Sequence, residues 1–145
     1  MAMKSKCLVV LLFCASCADN SQPAAPSLST PPGITPSLSS LSPATAIAGS
    51  DDITMTITGS AFQANPWPPG PSSFAMWSES NGGETFLSTR FVSDTQLTVI
   101  VPAKLLKDPK FAQVFVVNGD WMGWSDGYRG YPQSTAVSFA VVASR

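Results

Sequence analysis

Residues 48–62 read Ala48-Gly-Ser-Asp-Asp-Ile-Thr-Met-Thr-Ile-Thr-Gly-Ser-Ala-Phe62, and this stretch decides the fold. Ile53, Met55 and Ile57 alternate with Thr54, Thr56 and Thr58. A period of two places three apolar side chains on one face of a strand and three threonines on the other. Threonine suits the pleat because its β-branch restricts χ1 to rotamers that pack there. Gly49 and Gly59 bracket the run, and both are read as turns. Phe62 follows the second glycine closely enough to fold back over the buried face.

Similar short runs recur on both sides. Thr35 to Pro43 reads as an edge strand. Phe74 to Trp77 begins another, and Ser80-Asn81-Gly82-Gly83 supplies the positive φ angles of a hairpin turn. Thr85 to Val92 is expected as one return strand. After a turn at Ser93-Asp94, Leu97, Val99 and Val101 share one face of the strand from Thr95, with Gln96, Thr98 and Ile100 on the other. Pro102 stops it, and 103–108 has room for one helical turn before Pro109. Ala112 to Asn118 has no polar face and is expected at the centre of a sheet. In the last strand, Thr135 to Ala143, Val137, Phe139 and Val141 alternate.

Seven or so short strands without a long helical pattern indicate an all-β chain folded as an immunoglobulin-like antiparallel β-sandwich. The expected core is Ile53, Met55, Ile57, Phe62, Trp77, Leu97, Val99, Val101, Val114, Val116, Phe139 and Val141. Trp77 belongs to it as the buried tryptophan common in such sandwiches.

Two segments precede the domain. In residues 1–16, Lys4 and Lys6 form a basic start and Cys7 to Ala15 an apolar core of nine residues. A permanent membrane helix needs about 20, so the segment reads as an export signal peptide. Ala15-Ser16-Cys17-Ala18 resembles the end of a bacterial lipoprotein signal, in which the cysteine is lipidated and becomes the new N-terminus. Cys14 stands where that pattern has an aliphatic residue. The resemblance implies lipidation of Cys17 and anchorage in a membrane, and Ala18 after it favours the outer membrane. Ordinary cleavage after Ala18, giving a secreted protein, is the alternative. Residues 17–35 form a Pro/Ser-rich linker expected to be disordered. Extended at about 3.1 Å per residue it reaches some 50 Å. The domain is assigned to 36–145.

Composition narrows the function. Of 145 residues only 12 % are charged, a balance typical of exported all-β proteins. Without residues 1–16 the chain keeps six basic and nine acidic residues, a formal charge of −3. No basic run suggests a nucleic-acid partner. All three cysteines, Cys7, Cys14 and Cys17, lie in or at the end of the signal, so the domain has no disulfide and no thiolate nucleophile. It has no histidine either, which excludes histidine-based triads and histidine metal sites within these residues.

Glu79 and Glu84 flank the Asn81 hairpin and are the one carboxylate pair placed to face each other. A retaining glycosidase needs two carboxyls about 5 Å apart in a cleft, and a hairpin rim offers none. Asp51, Asp52, Asp120 and Asp126 lack the spacing of a calcium loop. The expectation is no enzyme, no cofactor and no metal.

Order and spacing resemble the IPT/TIG domains, immunoglobulin-like folds of plexins, transcription factors and many bacterial surface proteins. The elements are Leu41-Ser-Pro43, Ala48-Gly49-Ser50, Ile53 to Phe62, Phe91 to Pro102, Ala112 to Asn118 and Ser138 to Val141. The resemblance covers about Pro36 to Val142 and implies a fold, together with a spacer or adhesion role, rather than an activity. Two loops depart from the family pattern: the proline-rich one around Trp67, and the segment from Asp120 to Pro132.

The latter carries Trp121, Trp124, Tyr128 and Tyr131 among glycines. In an immunoglobulin-like topology both loops lie at one end of the sandwich. Aromatic faces on stiff loops suit sugar rings or apolar protein surfaces. Trp67, Trp121, Trp124, Tyr128 and Tyr131 are therefore the candidate ligand-binding residues. The competing reading folds the same aromatics inward as a plug of the sandwich end. The chain is expected to be a cell-envelope binding or structural module, with a carbohydrate-binding accessory protein as the alternative.

Overall fold

A computed structural model describes residues 33–64, 71–120 and 130–144. The expected export signal, most of the expected linker including Cys17, and Trp67, Trp121, Trp124 and Tyr128 lie outside them.

Two sheets pack face to face. One holds β1 (Ser37–Ser42), β3 (Ile53–Ser60), β7 (Gln96–Val101) and β6 (Ser88–Ser93), in the order β1-β3-β7-β6. The other holds β2 (Thr45–Ile47), β9 (Val137–Val142), β8 (Lys110–Asp120), β4 (Pro71–Glu79) and β5 (Glu84–Phe86), in the order β2-β9-β8-β4-β5. This arrangement is that of an immunoglobulin-like sandwich, with an ABED sheet facing a GFC sheet extended at both edges. All pairings are antiparallel except β2 with β9, which is parallel.

The period-two runs pair as their patterns require. Met55 lies opposite Val99, and Ile57 opposite Leu97, while Thr56 lies opposite Thr98. Matching apolar faces fixes the register, because a slip of one residue would turn every side chain to the wrong side. Met55, Ile57, Leu97, Val99 and Val101 of one sheet meet Trp77, Val114, Val116, Phe139 and Val141 of the other, all buried. Trp77 and Phe139 lie with ring centroids 5.3 Å apart, tilted by 56°, a geometry that adds about 0.5–1.5 kcal/mol to the area they bury. Phe62 is buried as expected, and Ile53 only partly.

Three expectations need correction. Gly59 makes no turn. It lies within β3 opposite Leu38. It is glycine because a Cβ there would sit 1.9 Å from the Ser37 carbonyl oxygen and 2.6 Å from the Phe62 ring. The left-handed residue that turns the chain is Ala61, with φ 59°.

Residues 85–92 are two strands in different sheets. β5 pairs with β4, and β6 pairs with β7. The chain crosses at Leu87, which is buried and donates its N–H to the Ala75 carbonyl. Thr89 accepts the Ala75 N–H on its hydroxyl at 3.0 Å, so β4 keeps its backbone groups paired beyond the point where β5 leaves.

The proline-rich loop is also shorter than expected at its far side, since β4 begins at Pro71. With the separate short strand β2, the described residues hold nine strands where seven or so were expected.

Candidate functional site

One end of the sandwich pairs the strand ends next to the two aromatic segments that sequence reading singled out. Pro71 pairs with Asp120, Ser72 with Gly119 and Ser73 with Asn118. The segments 65–70 and 121–129 therefore adjoin neighbouring strand ends. The chain enters the domain at the same end, where Ile34 precedes β1.

Asn118 joins these parts. Its side chain is buried and points into the core at the end of β8. The Nδ2 group donates to the carbonyls of Ile34 and Ala61, both at 2.8 Å. The Oδ1 atom accepts the Ser73 hydroxyl proton at 2.5 Å. Ser73 in turn accepts the Gln63 N–H at 2.8 Å. The Asn118 backbone N–H donates to Pro132 at 3.0 Å. One amide thus ties together the domain's first residues, the turn after β3, β4 and the chain returning toward β9. Burying an amide is costly unless it is hydrogen-bonded, and here both donors and the acceptor are used. Sequence reading saw Asn118 only as the end of an apolar strand. The signal present was a lone amide closing the run Val114-Phe-Val-Val117.

Tyr131 is the candidate ligand residue whose place is described. It is half-buried, against Met76, Phe115 and Val117 on the outer face of the five-stranded sheet. Its ring lies over Gly119, where a Cβ would come within 2.9 Å of Tyr131 Cγ. Residues 132–134 then run beside β8: Ser134 donates its N–H to Val116 and accepts the Val116 N–H on its hydroxyl.

Glu79 and Asp52 have structural partners. Glu79 and Glu84 do not face each other, because Glu84 lies opposite Ser78 and consecutive strand residues point to opposite faces. Glu79 shares the inward face with Trp77. It accepts the indole N–H at 3.2 Å and the Lys110 ammonium at 2.7 Å. The Lys110 bond is the chief cause that holds the Glu79 carboxyl below its ordinary value, with the Trp77 and Asn81 side chains adding to it. Asp52 accepts the Ala103 N–H at 2.8 Å at the start of the 3-10 turn Ala103–Leu105. Among the described residues no group of three or more histidine, cysteine or acidic side chains is gathered for a metal, and no helix is long and apolar enough to cross a membrane.

Compared with protein-family models and with curated proteins, the chain matches none.

Proposed function

We propose that this chain is an exported, lipid-anchored domain of the IPT/TIG type, acting as a non-enzymatic binding or structural module of the bacterial cell envelope. Lipid on Cys17 provides the attachment, and the outer membrane is the expected address. The observation that carries the reading is the convergence, at one end of a rigid sandwich, of the chain's entrance and the strand ends that adjoin the two aromatic segments. Loops held by a stiff scaffold present contact groups at low entropic cost. A linker of some 50 Å lets that end turn toward the membrane or away from it.

The juxtaposition of Pro71 and Asp120 also favours the carbohydrate-binding alternative. In that alternative Trp67, Trp121, Trp124 and Tyr128 are the residues that contact the sugar.

Fractionation tests the anchor. The wild-type chain stays with detergent-extractable membranes, and Cys17→Ser releases it. Equal partition of both proteins sinks the lipid reading. Trp121→Ala and Trp124→Ala test the tip: loss of binding to envelope polysaccharide with an unchanged unfolding midpoint supports the carbohydrate-binding alternative. Loss of stability with no binding change makes the aromatics a plug.

A further inference from the structure

The chain contains two Asn-Gly pairs, Asn81-Gly82 and Asn118-Gly119, and the fold treats them oppositely. We propose that Asn81 is a self-modification site, converting without enzyme or cofactor to aspartate and isoaspartate in the folded protein, while the fold holds Asn118 inert.

The chemistry requires only the chain and water. The Gly82 backbone nitrogen bonds to Asn81 Cγ and loses its proton. The bond from Cγ to Nδ2 breaks and ammonia departs, leaving a succinimide ring. Water then opens the ring at one carbonyl to give aspartate, or at the other to give isoaspartate, in which the main chain runs through the former side chain. Glycine in second place favours the first step, because no Cβ shields the attacking nitrogen.

Geometry separates the two sites. Asn81, Gly82 and Gly83 are all exposed at the β4–β5 turn. Gly82 has φ 84° and donates its N–H to the Glu79 carbonyl at 2.9 Å, while Glu79 donates its own N–H to Gly83. Two tight bonds with a left-handed glycine make a three-residue hairpin loop ending in a bulge. Freeing the Gly82 nitrogen breaks one solvent-exposed bond at a loop tip, where local opening is easiest. At the other pair, Asn118 and Gly119 are buried within β8 and paired with Ser73 and Ser72. Asn118 has its amide engaged at both ends. Attack there requires opening of the central strand, which is close to global unfolding.

Conversion at Asn81 has a structural consequence. The Asn81 side-chain oxygen Oδ1 accepts the Gly83 N–H at 3.0 Å, and its amide lies beside the Glu79 carboxylate. A new carboxylate in that place repels Glu79. Isoaspartate also lengthens the main chain by one carbon and shifts the turn against Ser78↔Glu84. Ageing at Asn81 therefore loosens the hairpin that flanks the Glu79–Lys110 pair.

The test is incubation of the purified chain in mildly alkaline buffer, followed by proteolysis, mass spectrometry and isoaspartyl methyltransferase labelling. In the native protein, conversion at Asn81 should outpace that at Asn118 by about tenfold or more. In urea the two rates should converge. Asn81→Gln should keep the unfolding midpoint and lose the native-state label, and aged wild-type protein should show a lowered midpoint. Equal native rates at the two sites overturn the proposal. So does an inert Asn81 in native protein whose denatured form converts.

Discussion

Replacing Asn118 by alanine removes three side-chain hydrogen bonds at once, and the consequences for the groups left behind differ. The Ile34 carbonyl belongs to an exposed residue, so water can replace the lost donor. The Ser73 hydroxyl is buried and loses its acceptor. The Ala61 carbonyl, on a half-buried residue, loses the donor that steadies a left-handed backbone. An unpaired buried polar group costs about 1–3 kcal/mol. Two such groups place the destabilisation at about 3 kcal/mol, a large part of the 5–15 kcal/mol typical of a domain. With a urea dependence of about 1–3 kcal/mol per molar, the midpoint should fall by about 1–3 M.

The assay is urea unfolding, followed by tryptophan fluorescence and far-ultraviolet circular dichroism, on the chain expressed without residues 1–17. Ser73→Ala and the double variant complete a cycle. Because Ser73 and Asn118 share one bond, the two changes should couple by more than about 0.5 kcal/mol. The reasoning is refuted if Asn118→Ala costs less than about 0.5 kcal/mol, the range of surface changes. Strict additivity with Ser73→Ala would equally deny the shared network.

Other outcomes follow from the same structure. Gly59→Ala drives a methyl into the Ser37 carbonyl and the Phe62 ring, so thermal unfolding should show a loss of about 1–3 kcal/mol; an unchanged melting temperature would deny the close approach. Ala61→Gly should raise the urea midpoint slightly, because relief of left-handed strain, about 1–2 kcal/mol, outweighs the added freedom of the unfolded chain; a fall would show the turn to be unstrained. The Glu79 carboxyl is held below its ordinary value when folded. Its contribution is therefore full above about pH 4.5 and fades as the pH drops through the lowered folded value. With Glu79 and Lys110 side chains 20 % and 26 % exposed, the pair is worth about 1 kcal/mol at most. Lys110→Met should flatten that part of the stability–pH curve, and an unaltered acid limb would argue against the pair. Trp77→Ala should cost about 3–5 kcal/mol, measured by the same urea curves, since the ring is fully buried against Phe139.

The sequence alone determined the sandwich. Each strand carries its own signature, because alternation of Ile53-Met55-Ile57 with threonine, or of Leu97-Val99-Val101 with polar residues, is a local property that sets which face is buried. Trp77 was legible as core for the same reason, and Ser80 to Gly83 as a turn because glycine and asparagine have backbone preferences of their own. What the sequence left open depends on partners distant along the chain. Gly59 looked like a turn because its cause, the Ser37 carbonyl and the Phe62 ring, is visible only when β1 and β3 are paired. The crossing at Leu87 was hidden because Glu84–Phe86 and Ser88–Ser93 have the same strand texture; the neighbours of each decide its sheet. Asn118 showed only a lone amide closing an apolar run, since its role comes from Ile34, Ala61 and Ser73, which approach it only in three dimensions. Local periodicity is written in neighbouring residues and survives in the sequence, whereas a buried polar junction is created by long-range pairing and appears only once the two sheets have closed.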